Sequence, residues 1–397
     1  MWGMTQSLLI LGRQPALGLA ELESLYGSTK VQAAGEQAAL LDMPASEIDF
    51  RRLGGSVKLC KVLTTLDGTN WGQAERYLTK AAPEHAALLP EGKMQIGLSA
   101  YGFNESAQRV LATGLSLKKS LKKAGKSVRL TPNQEPALSS AQVAHNHLTG
   151  PTGWELILVA HGSKTILAQT TDVQNIDSYT LRDRGRPKRD ARVGMLPPKL
   201  AQTIINLAVG DAASTGKTVL DPFCGTGVVL QEALLMGFSV YGTDLEPRMI
   251  DYSGENLDWL DAQFELPEAD MRIEQGDATN HRWDPTPDFV ACETYLGRPF
   301  TTAPLSNVLA QNITDCNLII KKFLQNVHSQ LAAGARLCVA VPAWQVHKNE
   351  FKHLPLIDQI SDLGYNLVKF EHVRDDQLLY YREDQVVARE LLVITRK

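Results

Sequence analysis

From residue 198 onward, short apolar runs alternate with stretches of helical spacing. This pattern predicts strands at 219–223, 239–244, 272–277, 289–293 and 336–341, with helices at 198–209 and 228–236. Such alternation is the signature of a doubly wound, mostly parallel sheet. Two further apolar runs, 366–373 and 386–395, have no helical stretch between them and predict an antiparallel hairpin at the end of the sheet. The N-terminal part follows another pattern. Strands are expected at 7–12, 38–42 and 55–63. A helix at 15–26 carries Leu17, Leu19, Leu22 and Leu25 and is stopped by Gly27. These predict a small α+β unit over 1–65. A second unit, 66–170, has strands at 94–99 and 127–130, helices at 107–124 and 139–148, and a hairpin of 154–160 with 164–169. A polar connector, 171–193, leads into a last domain, 194–397.

The chain has 397 residues, enough for two or three domains, and is 44% hydrophobic and 21% charged. Its formal net charge of -4 announces no global basic field, so a nucleic-acid partner would be held by local patches. Five cysteines (Cys60, Cys224, Cys292, Cys316, Cys338) form no C-x-x-C pair. They fit reduced thiols better than disulfides or a zinc site, so no metal is expected, and Cys224, Cys292 and Cys338 lie in or beside apolar runs as core residues would. No apolar run approaches the ~20 residues that span a bilayer. The first residues lack the basic n-region of a signal peptide, and a cytoplasmic protein without a membrane partner is expected.

The chemistry concentrates where the parallel strands end. Thr218-Val-Leu-Asp-Pro-Phe-Cys-Gly-Thr-Gly-Val228 takes an apolar strand into a glycine-bearing turn that opens a helix, and Val240-Tyr-Gly-Thr-Asp244 ends a second strand on a carboxylate. Gly225 and Gly227 let the backbone turn tightly and approach a ligand. Asp244, with Leu245 beside it, can take the ribose hydroxyls of a nucleoside. A dinucleotide site needs a third glycine, and Leu230 stands there; Asp221 would repel a pyrophosphate. Asp221 instead suits a cationic amino group, which favours S-adenosylmethionine (SAM), and a terminal antiparallel hairpin points the same way. Phe223 lies in the same turn. At the third strand end Asp277, followed by Ala278, could accept the adenine amine or could simply cap a turn.

The fourth strand end reads Glu293-Thr-Tyr-Leu-Gly297. A base amine is a poor nucleophile because its lone pair is delocalised into the ring. Acceptors on its N–H groups localise that pair, and an aromatic face positions the base. Glu293 can supply a carboxylate, Thr294 and Tyr295 can supply carbonyls, and Tyr295 can stack. The plainer alternative is that Glu293 caps the loop and Tyr295 only packs. Two basic clusters stand out against the acidic total: Lys118, Lys119, Lys122, Lys123, Lys126 and Arg129, then Arg182, Arg184, Arg186, Lys188, Arg189 and Arg192. A charged helix face is often only solvated, but two separated clusters look like phosphate contacts and predict RNA binding.

At this point the chain resembles the THUMP-domain tRNA methyltransferases, and among them the tRNA guanine-10 N2-methyltransferases. The resemblance rests on Leu117-Lys-Lys-Ser-Leu-Lys-Lys-Ala-Gly-Lys-Ser-Val-Arg129 with Leu138-Ser-Ser-Ala-Gln142, on the run from Arg182 to Ala201, and on Asp221-Pro-Phe-Cys-Gly-Thr-Gly227. It implies an N-terminal ferredoxin-like unit at 1–65, a THUMP RNA-binding domain at 66–170, a basic linker at 171–193, and a class I Rossmann-like SAM methyltransferase domain at 194–397. It implies tRNA as partner and methyl transfer to an exocyclic base amine, guanine N2. One departure falls at the reaction centre. The family pattern is Asp/Asn-Pro-Pro-Tyr/Phe, whereas this chain has Glu293-Thr-Tyr-Leu296. Glu293 as amine acceptor in a shifted register, an altered base choice, a tRNA binder that keeps the SAM pocket without transfer activity, and amino-methylation of another RNA all remain open.

Overall fold

The computed structural model describes residues 6–190, 195–300, 302–348 and 350–397. The chain divides into two units, one of Met1–Leu19, Gly27–Arg51 and Gly55–Ile176, the other of Ala20–Tyr26, Arg52–Gly54 and Asp177–Lys397.

In the first unit, eight strands form one sheet: β1 (Ser7–Leu11), β2 (Val31–Ala33), β3 (Ala38–Leu41), β4 (Ser56–Asp67), β5 (Lys93–Tyr101), β6 (Ser127–Leu130), β7 (Gly153–His161) and β8 (Lys164–Val173). Their order is β2-β3-β1-β4-β8-β7-β5-β6. The line expected at 65/66 falls inside β4, which pairs antiparallel with β1 on one side and with β8 on the other. β4 runs on through Thr64 and Thr65 because β-branched residues suit a pleated surface, and Gly68, at φ 82°, then turns the chain.

Helix α1 (Pro15–Tyr26) forms as expected. Helix α2 (Trp71–Ala86) fills a stretch for which the pattern predicts no element, although Trp71, Ala74, Leu78, Ala82 and Ala86 are buried at helical spacing. The Asn70 side chain caps it by accepting the Gln73 N–H. Helix α3 (Ala107–Lys123) buries Val110, Leu117 and Leu121 and leaves its lysines on the other side, while α4 (Ser140–His145) is shorter than expected and opens on a Ser139–Gln142 capping box.

Past α5 (Ile176–Thr180), the main segment of the second unit carries α6 (Pro198–Val209), and the residues of α6 are nearly all buried. There follow β9 (Thr218–Asp221), α7 (Val228–Leu235), β10 (Ser239–Asp244), α8 (Pro247–Gln263), β11 (Met271–Gln275), β12 (Phe289–Glu293), α9 (Ser306–His328), β13 (Arg336–His347), β14 (Glu350–Lys352), β15 (Tyr365–Leu367), β16 (Leu379–Tyr380) and β17 (Val387–Arg396). The sheet order is β11-β10-β9-β12-β13-β17-β15. The first five of these strands are parallel; β17 is antiparallel to β13 and to β15. This is the doubly wound sheet with a terminal antiparallel pair that the pattern predicts.

The strand expected at 366–373 is shorter than predicted. Only Tyr365–Leu367 joins the ladder, and Leu379–Tyr380 pairs with β17 further along. The Glu371 and His372 N–H groups are given instead to the Glu23 carboxylate, at 2.6 and 3.1 Å. A backbone donor spent on a side chain cannot hold a ladder.

Candidate functional site

The turn between β9 and α7 is built from the backbone outward. Gly225 and Gly227 have φ of 52° and 80°, in the left-handed region that disfavours a side chain. A Cβ on Gly227 would also lie 3.0 Å from Ser253 Oγ. The carbonyls of the turn are tied down from α8 and α7. Ser253 Oγ–H donates to Gly225 O at 2.8 Å, Asn256 Nδ2 to Thr226 O at 2.8 Å, and Gln231 Nε2 to Gly227 O at 3.0 Å. Asp244 fixes the other side, accepting the Gly225 N–H on Oδ2 at 2.9 Å and the Glu246 N–H on Oδ1 at 3.0 Å. The two strand ends singled out in the sequence therefore meet through a hydrogen bond.

Asp221 is buried, with 2% of its surface exposed, and accepts the Phe223 N–H at 3.1 Å. Burial pushes its carboxyl well above the usual range, and the charges of Asp244 and Glu293 add to the rise. The Asp244 carboxyl is also raised by burial, against the lowering effect of the N–H groups it accepts. Like charges gathered with few counter-charges favour an incoming cation. Phe223 packs edge-on against Phe323, with ring centroids 5.1 Å apart, and Leu245 is exposed. Asp277 Oδ1 accepts both the Thr279 N–H (2.9 Å) and its hydroxyl (2.8 Å) and so caps that turn. Ala278 is buried, its carbonyl held by Asn326 Nδ2 at 3.0 Å.

At the end of β12 the structure adds a residue that sequence inspection missed. The Glu293 carboxylate, expected to wait for a base amine, is ion-paired through Oε1 with the Nε–H of Arg389 on β17. Burial raises the Glu293 carboxyl, and Arg389 opposes the rise. The signal was present: an arginine inside the apolar run of β17 requires a partner. Thr294 is buried and gives both its N–H and its hydroxyl to Ala340 O, at 3.0 and 3.1 Å, which pins the loop without prolines. Tyr295 has 43% of its surface exposed, so its ring is presented outward rather than packed.

The basic clusters divide. On α3, Lys119, Lys122 and Lys123 are exposed and Lys118 is half-buried around the exposed Leu115. Lys126 lies 3.5 Å from the Leu89 carbonyl, and Arg129 is exposed on β6. In the connector, two expected RNA contacts are corrected. Arg182 is buried against Glu232 (Nε to Oε1, 2.7 Å) and lies over the Tyr179 ring. Arg186 is 2% exposed. Neither can meet a phosphate, because both are withdrawn into the fold. Arg184 and Arg189 are exposed; Lys188 is 3.1 Å from Glu255 and lies over Tyr252. Arg192 falls outside the described residues. All five cysteines are free and buried. Among the described residues no cluster of His, Cys, Asp or Glu could hold a metal ion, and no helix is long and apolar enough to cross a membrane.

A family model described as N6_N4_Mtase, DNA methylase, matches residues 118–255. A tRNA (guanine(10)-N2)-dimethyltransferase of Methanothermobacter thermautotrophicus is 33% identical over 149 residues, 38% of this chain and 39% of that protein. One of Pyrococcus abyssi with the same name is 29% identical over 151 residues, again 39% of its length and 37% of this chain. The match thus spans about two fifths of the length of these relatives. TrmN from Thermus thermophilus superimposes over 99% of this chain and 100% of its own, with a TM-score of 0.52 and 17% identity. At that identity the likeness concerns architecture: the chain has an α/β fold whose second unit is Rossmann-like, a mostly parallel doubly wound sheet with an antiparallel end.

Proposed function

We propose that this chain is a SAM-dependent tRNA methyltransferase acting on an exocyclic base amine, guanine N2. The observation that carries the reading is the turn at Gly225–Gly227 closed by Asp244, with the buried Asp221 behind it. SAM fits this site. The raised carboxyl of Asp221 gains an ammonium partner, the Asp244 carboxylate retains lone pairs for ribose hydroxyls, and the glycines leave room for backbone approach. When bound, SAM would supply the sulfonium methyl: the amine lone pair would form the N–CH3 bond while the S–CH3 pair stays on sulfur as a neutral thioether, and the amine proton would pass to water. The residues of this chain orient the base, exclude water and hold charge. Glu293 faces the base from the end of β12, and Tyr295 offers an exposed ring for stacking.

The names of the two archaeal relatives support tRNA guanine as substrate, and the lysine face of α3, with Arg184 and Arg189, supports RNA contact. The first unit serves as the THUMP-like platform on this reading. A second reading, a tRNA binder without transfer, draws on one observation: Glu293 Oε1 is already taken by Arg389.

The decisive experiment is transfer of a tritiated methyl group from SAM to unmodified tRNA, with mass spectrometry of the product nucleosides. N2-methylguanosine is the expected product. Binding of both ligands without transfer would favour the second reading, and label on DNA alone would overturn tRNA as substrate.

A further inference from the structure

Arg389 sits on β17 opposite Pro342, while Glu293 on β12 lies opposite Ala340. Both strands flank β13, so about 10 Å separates their backbones. The arginine side chain must cross over β13 to reach the carboxylate, and the small Ala340 lies under the crossing. Its contact is one-sided. Only Nε is engaged, on Oε1. Among the described residues, Nη1 and Nη2 donate to nothing and Glu293 Oε2 accepts from nothing. The side chains keep 9% and 15% of their surface open. A guanidinium fork satisfied at one nitrogen, beside a carboxylate satisfied at one oxygen, presents a donor next to an acceptor at the strand end where the substrate base is read.

Resting on the reading above, we propose that Arg389 is a specificity-determining residue, and that the Glu293–Arg389 pair reads the base. Guanine presents O6 as acceptor, then N1–H and the N2 amine as donors, along one edge. An Nη of Arg389 donates to O6, and Glu293 Oε2 accepts from N1–H. The N2 amine is then held at a fixed place without a direct charge on it. The pair also accounts for the absence of prolines here. Thr294 and the ion pair fix the loop that prolines would otherwise stiffen.

The test compares kcat/KM on tRNA carrying guanine with that on tRNA carrying 6-thioguanine at the methylated position, for wild type, Arg389→Ala and Arg389→Lys. The thio analogue keeps N1–H and N2 but weakens the acceptor at position 6. Wild type should lose roughly tenfold or more on the analogue, the scale of a single well-placed base contact. Arg389→Ala should be roughly tenfold or more slower on guanine and indifferent to the swap, with SAM affinity unchanged. Arg389→Lys keeps the charge but not the fork, so it should fold even if the alanine variant does not, and should show a reduced penalty on the analogue. If either variant keeps the full wild-type penalty, Arg389 does not read O6. If wild type transfers no methyl to guanine at all, the functional reading fails first, on the unmodified protein. Product at adenine N6 would overturn the base assignment along with the O6 contact.

Discussion

Among the carboxylates paired with cations inside the fold, Glu155 and Glu293 have contrasting surroundings. Glu155, on β7, is fully buried. Its Oε1 meets Lys58 Nζ and the Ser99 hydroxyl (2.6 Å), and its Oε2 meets the Thr170 hydroxyl (2.6 Å). Lys58 also donates to Leu138 O at 2.7 Å. Glu293 shares one oxygen with Arg389 and leaves the other open at a strand end. In a dry interior each carboxylate oxygen needs a donor, and the first pair obeys that rule. Among the described residues the second does not. The closed pair serves the fold; on the proposed reading, the substrate base completes the half-closed one.

The most disruptive way to test this contrast is Glu155→Ala. Removing one partner of a buried pair strands the other charge, at about 3–5 kcal/mol. Urea unfolding should show the loss directly. Glu293→Ala should behave in the opposite sense, with methyl transfer falling by roughly 10²–10³-fold, as when one preorganised polar group is removed from a reaction centre, and a smaller change in stability. If Glu293→Ala unfolds the protein as readily as Glu155→Ala does, the two pairs are of one kind.

Asp244→Ala follows in size. The lost ribose contacts, about 1.5–3 kcal/mol for a charged partner, should weaken SAM binding by roughly tenfold or more in calorimetry. Unaltered SAM affinity, or a preference for NAD, would remove the cofactor assignment. A pH experiment is subtler. Burial raises the Asp221 carboxyl in the folded state, so the folded chain keeps that proton to higher pH than the unfolded one. The associated stability is full below the ordinary carboxylate range and is lost as pH rises through the raised value. Without SAM, Asp221→Asn should therefore gain Tm over wild type as pH increases, by about 2–4 °C for each kcal/mol regained, while binding SAM less well. A constant Tm difference from pH ~4 to ~8 would show that Asp221 does not titrate in this range.

The smallest expected effect concerns charges with no ion-pair partner. Lys119→Ala should weaken tRNA binding a few-fold and lower the salt slope by about 0.9, with SAM binding unchanged. An unaltered slope would return that lysine to the solvated face of α3.

What was legible in the sequence was local. Asp221, Gly225 and Gly227 lie within seven positions, and their turn, with Asp244 at the next strand end, could be assembled on paper. Glu293 and Arg389 are 96 positions apart, and Lys58 and Glu155 are 97 apart. Nothing in the residues near either carboxylate announces its cation. Arg182 shows the same limit from the other side: a basic run reads as exposed until Glu232, 50 positions on, is seen to bury one of its members. Helix α2 was missed for a different reason. Its apolar positions are mostly alanines, which carry little contrast in a pattern of large hydrophobics.

The place of β4 in the middle of its sheet has a consequence for biogenesis. One side of this 12-residue strand is covered by β1 over its first half, to Lys61, but the other must wait for Lys164–Val173, about a hundred residues later. During synthesis a long row of unpaired backbone groups stays available to any passing strand. A fragment ending before 164 would keep that row permanently and should associate with itself. The hairpin of β7 and β8 therefore acts as the closing piece of the N-terminal sheet, and the time until it emerges sets how long the nascent chain needs shielding.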